Sequence, residues 1–320
     1  MASTLWGLLA LAATLALAAL WRRRGWGDAA RGAERARKLQ AGAVPAVGGL
    51  AIAITWCLQA GFGPLTSPEA APFLVAALFV AFGSGALDDA LPGGLRPRPK
   101  LGFQLLAGAC LGARHLFPEG LGGAPELGAS AWQGAASTLL LAPVFANAIN
   151  TFDNADGAVG AVAGAGLLRA GSPWAPALLG FLVPNLFLRR GASGGPSPMR
   201  DADPVAYLGD GGSQLVALVL LADDASWGAL VLPLADLLRV ALLRLRRGAR
   251  PWVGDRRHLA HRLQRRGLGP LAVASCLLGI AAPSLLLGLG LEGVVATLGL
   301  YALTLALTAG NERRVGPDAS

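Results

Sequence analysis

AASTLLLAPVFANAINTFDNADGAVGAVAGAGLL, residues 135–168, decides how this chain folds. Two apolar runs, 135–149 and 158–168, flank eight residues of which all but Phe152 are polar or small, and the flanks contain no charge at all. A soluble hairpin of two helices would carry a charged face along each helix. Flanks without one belong in lipid, with the polar element at a membrane edge.

Working outward, similar apolar runs occur at about 5–21, 44–62, 71–87, 101–117, 174–188, 211–222, 225–243, 268–290 and 293–309, making eleven in all. The composition agrees, with 54% hydrophobic residues, 14% charged residues and a mean hydropathy of +0.53. A span needs roughly 20 apolar residues, so the runs at 158–168 and 211–222 are short. Threaded alternately with the N-terminus outside, the chain places 24 of its 27 basic residues on one side, as cytoplasmic loops require. The expected fold is therefore an all-α integral membrane protein, a polytopic bundle of about eleven transmembrane helices with a cytoplasmic C-terminus. Residues 1–310 read as a single transmembrane catalytic domain and 311–320 as a polar tail. The formal charge of +8 follows the membrane topology, which argues against nucleic acid as a partner. The first run has no basic segment before it and Arg22, Arg23 and Arg24 after it, so it reads as a retained anchor. Cys57, Cys110 and Cys276, far apart in apolar runs, read as small core residues. No internal repeat is visible.

Four polar clusters fall on the same side of this threading: GSGALDD ending at Asp89, NAINTFDNADG over 147–157, YLGDGGS around Asp210, and DRRHLAHRL over 255–263. Carboxylates at a bilayer edge are costly unless they bind something, so the convergence points to an intramembrane enzyme. Asp88 and Asp89 would point about 100° apart on a helix, so both serve one ligand only if the helix has ended, as Pro92, Gly93 and Gly94 suggest. Two carboxylates at a helix carboxyl end also oppose its dipole and call for a cation, a metal ion or Lys100. Asn147, Asn150, Asp153 and Asp156 are spaced by three. On a helix each such step turns the side chain back by roughly 60°, leaving Asn150, Asp153 and Asp156 on one face. Their oxygens suit a hard cation such as Mg²⁺, which completes its shell with water and phosphate. A polar loop capping the next helix is the plainer reading, but a cap needs one such residue, not four. In GDGGS, Asp210 offers a further oxygen and the glycine amides could receive an anion. His258 and His261, among Arg256, Arg257, Arg262, Arg265 and Arg266, suit diphosphate oxygens, although topology alone also predicts a basic loop there.

These residues resemble the polyprenyl-phosphate N-acetylhexosamine-1-phosphate transferases, the superfamily that includes the phospho-MurNAc-pentapeptide transferase. The likeness runs through Arg37, Lys38, Pro45, Gly48 and Gly49, then Asp88, Asp89 and Lys100, NAINTFDNADG, GDGGS over 209–213, and Pro233 with Asp236. It implies a Mg²⁺-dependent enzyme, Mn²⁺ being an alternative, in the bacterial inner membrane with its site facing the cytoplasm. Such an enzyme moves a sugar 1-phosphate from a UDP-sugar to undecaprenyl phosphate and releases UMP, initiating a lipid-linked envelope glycan. By resemblance, Asn150 and Asp210 are the metal ligands, and Asp88, Asp89, Asp153 and Asp156 are the essential acids. Lys100, Asn147, Arg257, His258, His261 and Arg262 fall to the substrates. Ala260 stands where the bacterial HxHH pattern has a histidine, which touches the donor's identity more than the reaction class. A Mg²⁺-dependent intramembrane prenyltransferase, a transporter or a non-catalytic relative are the alternatives, and a homodimer is compatible with all of them.

Overall fold

The computed structural model describes residues 2–26, 44–62, 67–91, 93–190, 203–250 and 257–309. Arg37, Lys38, Arg256 and the tail 311–320 lie outside the described residues. Each of the eleven apolar runs is occupied by helix. In chain order these are α1 (Ala2–Arg23), α2 (Gly48–Phe62), α3 (Ala71–Ala90), α4 (Pro97–Leu116), α5 (Ala129–Phe152) and α6 (Ala158–Arg169). Then follow α7 (Ala175–Leu182) with a π-helical turn Val183–Phe187, α8 (Gly209–Ala222), a 3₁₀ segment Asp224–Leu230 leading into α9 (Val231–Arg246), α11 (Pro270–Leu287) and α12 (Leu291–Thr308). A further short helix, α10 (Leu259–Arg265), forms within the basic loop. Two two-residue strands, β1 (Arg189–Arg190) and β2 (Asp203–Pro204), pair antiparallel.

Five helices are long and apolar enough to cross a membrane: Ser3–Arg23, Ala71–Ala90, Ala129–Phe152, Pro270–Leu287 and Leu291–Thr308. α6 and α8 are shorter, about 18 and 21 Å by their rise, against a hydrocarbon thickness of about 30 Å. The bundle is a membrane protein by its surface as well. Phe79 is 78% exposed, Leu140 64% and Leu291 79%, a belt of apolar side chains that water would not tolerate.

α8 is the axis of the fold. Every residue from Gly211 to Leu221 is buried, with α3, α5 and α2 packed around it. Lipid supplies no hydrophobic drive between helices, so close contact depends on small residues. A Cβ on Gly49 would lie 2.4 Å from the backbone nitrogen of Gly212, and one on Gly85 would lie 2.4 Å from that of Gly211. Gly108 likewise meets Ala142 of α5.

One cysteine corrects the expectation. Cys57 is exposed and stands outside the core, whereas Cys110 and Cys276 are half-buried and pack against it. Positions facing lipid are as apolar as positions facing protein, and composition cannot separate them.

The α2–α8 contact yields a measurable prediction. Gly49→Ala forces backbone from backbone and should cost about 1–3 kcal/mol, read as a lower thermal midpoint in detergent. Gly102→Ala, in the exposed interior of α4 with nothing within 4 Å of the added carbon, should leave the midpoint unchanged or slightly raised. Equal midpoints for the two variants would refute the close-packing account.

Candidate active site

The acidic residues converge where α8 begins. Gly209 has φ +75°, a left-handed turn that glycine accepts, and a Cβ there would also strike the Asp89 carboxylate at 2.8 Å. This turn aims the first amides of α8 outward, without a capping side chain of its own. Asp89 supplies the cap from α3. Its Oδ1 accepts from the Asp210 N–H at 3.1 Å and its Oδ2 from the Gly211 N–H at 3.3 Å. The anion expected at these glycine amides is thus a carboxylate of the chain itself, well matched to a helix amino end. The exchange is reciprocal at α2, whose opening N–H groups on Gly48 and Gly49 donate to the carbonyls of Tyr207 and Leu208, each at 2.9 Å.

α3 continues through both aspartates to Ala90, correcting the expectation that the helix has ended. The turn of about 100° between neighbours is used instead, since Asp89 faces the first amides of α8 while Asp88 faces Lys100 of α4 and the Asp210 carboxyl. Asp88 accepts from the Leu95 N–H at 2.5 Å and from Lys100 Nζ at 3.0 Å. The same Nζ lies 2.5 Å from Asp210 Oδ2, so one ammonium bridges carboxylates from α3 and α8. Lys100 sits in the first turn of α4, which starts at Pro97.

α5 brings the amides. Asn150 donates to Ser213 Oγ at 3.1 Å and also reaches the Asp210 carboxylate, while Ser213 Oγ donates to the Asp210 carbonyl at 3.1 Å. Asn147 donates to Gln104 Oε1 of α4 at 3.0 Å. The helix then stops at Phe152, with Asp153 as its C-cap and a turn up to Gly157. The shared face expected from Asn150 to Asp156 therefore does not extend to Asp156. That carboxylate instead forms an ion pair with Arg189 at 2.6 Å. The Asp153 carboxylate takes no hydrogen bond or ion pair among the described residues, its backbone N–H alone donating to the Ile149 carbonyl at 2.9 Å. Burial, and then the facing carboxylates of Asp210, Asp156 and Asp89, push it well above the usual carboxylate range. Asp156 is raised as well, by burial against which Arg189 acts. None of these residues caps α6, whose N-cap is Gly157 with no side-chain hydrogen bond.

The histidine cluster is built from α9, α10 and α12. His258 is the N-cap position of α10 and is 4% exposed. Its Nδ1 lies 2.8 Å from Asp236 Oδ2. Asp236 is also the acceptor for Tyr301 Oη at 2.8 Å, for Arg239 at 3.0 Å and for the Leu259 N–H at 3.2 Å. His261 pairs with Gln264 at 2.9 Å. Arg262, 8% exposed, donates to the Leu305 carbonyl in the last turn of α12 at 3.0 Å, so part of its guanidinium serves that helix end. The Arg257 carbonyl accepts from Arg239. Ala260 is 3% exposed.

Among the described residues, no three His, Cys, Asp or Glu side chains lie close enough to hold a metal by themselves. The donors nonetheless fit a Mg²⁺-type cation. Asp153 and Asp210, with the Asn150 amide beside them, are hard oxygen donors, Asp210 shares the Lys100 ammonium with Asp88 while Asp153 has no ion pair, and Mg²⁺ takes only one or two carboxylates with water and phosphate for the rest.

Sequence comparison bears on this geometry. Residues 71–172 match glycosyl transferase family 4. The chain is 25% identical over 261 residues to the undecaprenyl-phosphate alpha-N-acetylglucosaminyl 1-phosphate transferase of Escherichia coli K12, with 72% of this chain and 68% of that protein covered. It is 26% identical over 263 residues to the Yersinia pestis protein of the same name, with the same coverage. These matches support the polyprenyl-phosphate N-acetylhexosamine-1-phosphate transferase family. The family match runs from α3 through α6 and so contains Asp88, Asp89, Lys100, Asn147, Asn150, Asp153 and Asp156. Asp210, His258 and His261 lie outside it, and packing brings Asp210 to Lys100 and Asn150.

Sequence reading missed several polar partners. Asn185, in the π-helical turn, accepts from the Gly157 N–H at 2.7 Å and donates to the Ala206 carbonyl at 3.0 Å. Gln214, Arg189, Arg239 and Tyr301 had no motif to mark them. The one available signal was polarity within otherwise apolar runs, which Asn185, Gln214 and Tyr301 share.

The α3-to-α8 cap makes its own prediction. Asp89→Ala leaves two amides without an acceptor and should lower stability by about 1 kcal/mol or more, whereas Asp89→Asn keeps one acceptor and should lose less. Thermal unfolding of the three proteins checks the order wild type, Asn, Ala, and a midpoint for the alanine variant equal to wild type would remove the cap from the account.

Proposed function

We propose that this protein transfers an N-acetylhexosamine 1-phosphate from a UDP-sugar to undecaprenyl phosphate, releasing UMP and starting a lipid-linked envelope glycan. One observation carries the reading: carboxylates and an amide from α3, α5 and α8 share one cluster with a single bridging ammonium, Lys100. Such a cluster is built for phosphates, where catalysis consists largely of positioning and charge stabilisation.

In this reading an acceptor phosphate oxygen attacks the sugar-bearing phosphorus of the donor. The bridging P–O bond breaks and UMP departs with its electron pair. The acceptor monoester has a second pKa of about 6, so at neutral pH it attacks without needing a base. Asp88 then serves to hold Lys100, and Lys100 to meet charge on the phosphates. Asn150 and Asp210, with Asp153 facing them, would hold Mg²⁺, which supplies neutralisation of the diphosphate oxygens. Asp156, paired to Arg189, fixes the turn that carries Asp153. His258 and His261 take the nucleotide-sugar end.

The topology follows the charges. Eleven spans with the N-terminus outside put the cluster at the cytoplasmic leaflet of a bacterial inner membrane, where UDP-sugars are found and the Arg-rich segments belong. The prenyl tail of the acceptor then lies between helices at the lipid boundary. A prenyltransferase would want two similar Asp-rich clamps, and the histidine network does not provide the second.

Purified protein in detergent with undecaprenyl phosphate, Mg²⁺ and a panel of UDP-sugars should release UMP. Asp153→Asn, Asp210→Asn and Lys100→Met should each lower turnover by about 100-fold or more, and chelation should abolish it until Mg²⁺ is restored. No UMP from any donor, or full turnover in the presence of chelator, would overturn the proposal in whole or in its metal.

A further inference from the structure

We infer that Asp236 is the positioning residue for His258, holding Nδ1–H and aiming the ring so that Nε2–H, which the imidazolium form carries, is presented to an oxygen of a phosphate-bearing ligand. This rests on the transferase reading only for the identity of that ligand. The geometry stands by itself. Asp236 is 2% exposed and His258 4%, and a carboxylate and an imidazole buried together are not a solvated pair. The hydrogen bond the structure gives the ring is on Nδ1, at 2.8 Å from Asp236 Oδ2. With the acceptor a carboxylate, Nδ1 must carry a proton, and it is the Nε2–H of the imidazolium, which the carboxylate also stabilises, that is left to donate to a phosphate oxygen.

The carboxylate is itself held from three sides. Tyr301 of α12 donates at 2.8 Å, Arg239 donates at 3.0 Å and also contacts the Tyr301 hydroxyl at 2.6 Å, and the Leu259 N–H donates at 3.2 Å. Arg239 further donates to the Arg257 carbonyl, tying down the residue before the histidine. The segment 257–259 is thereby anchored next to Tyr301, seven residues or about 10 Å before the end of α12. A basic loop that served topology alone would stay at the helix ends, whereas this one enters between α9 and α12.

A plainer role is open to Asp236, that of capping α10 and joining α9 to α12. The two roles separate in a double-mutant cycle. Asp236→Asn keeps the shape and an acceptor for Leu259 but cannot take the Nδ1 proton in the same way. With His258 present it should lower kcat/KM for the donor by about 10-fold or more, the range for losing the group behind a functional histidine. The KM for undecaprenyl phosphate should not move. In a His258→Gln background the same change should cost less than about 2-fold. Equal losses in both backgrounds would show that Asp236 only holds helices, and would overturn the inference. Should Asp236→Asn not fold, Tyr301→Phe keeps the ring and removes one hydrogen bond, with a loss of about 3-fold expected, again only with His258 present.

A second readout does not depend on turnover. The chain has three histidines, His115, His258 and His261, so ¹⁵N-histidine spectra can be assigned with His258→Gln. At a pH where the ring is neutral, His258 should carry its proton on Nδ1, and Asp236→Asn should move it to Nε2. An unchanged protonation site would overturn the inference whatever the activity. A protein inactive with every donor, yet showing this shift, would retain the positioning role and lose the transferase reading.

Discussion

The amino end of α8 is pressed between α2 and α3 at backbone-to-backbone distance, and everything at the candidate site is arranged around that contact. Side chains on Gly49 or Gly85 would drive α8 away. With α8 displaced, Asp89 would lose the amides it covers and Asp210 would leave Lys100. Burying a helix end in a membrane bundle is costly because its first N–H groups have no water to turn to. Here Asp89 meets that cost for α8, and the carbonyls of Tyr207 and Leu208 meet it for α2. The aspartate pair thus divides its labour, one carboxylate holding the fold together and the other holding the ammonium.

The electrostatic design is unequal by construction. Asp88, Asp89, Asp153, Asp156 and Asp210 come together, and the cations set against them in the described residues are Lys100 and Arg189. Asp89 is served by amides and Asp153 by none of these. In the proposed reaction this excess of carboxylates over cations is what Mg²⁺, and the phosphates that accompany it, would answer.

Much of this was legible in the sequence because lipid imposes a simple rule on composition. Apolar runs mark helices, and polar residues within them stand out. Asp88, Lys100, Asn150 and Asp210 could be named before any coordinates, and the structure brings these four together. What could not be read were helix ends and long-range pairing. α3 runs through Asp89 although Pro92 and Gly93 follow, because the carboxylate is satisfied by another helix. α5 stops at Phe152, so the spacing of three ceases to mean a common face before Asp156. Cys57 faces outward because hydrophobicity does not distinguish lipid from protein. Tyr301 lies 65 residues from Asp236, and nothing local announces that they meet.

The π-helical turn Val183–Phe187 has a wider bearing than its five residues suggest. Through Asn185 one amide group grips both the turn that follows Asp153 and the stretch that runs into α8. The two walls that supply Asp153 and Asp210 are consequently coupled like the jaws of a vice on one screw. The span between these carboxylates is therefore tied to one buried amide and is not left to either loop alone.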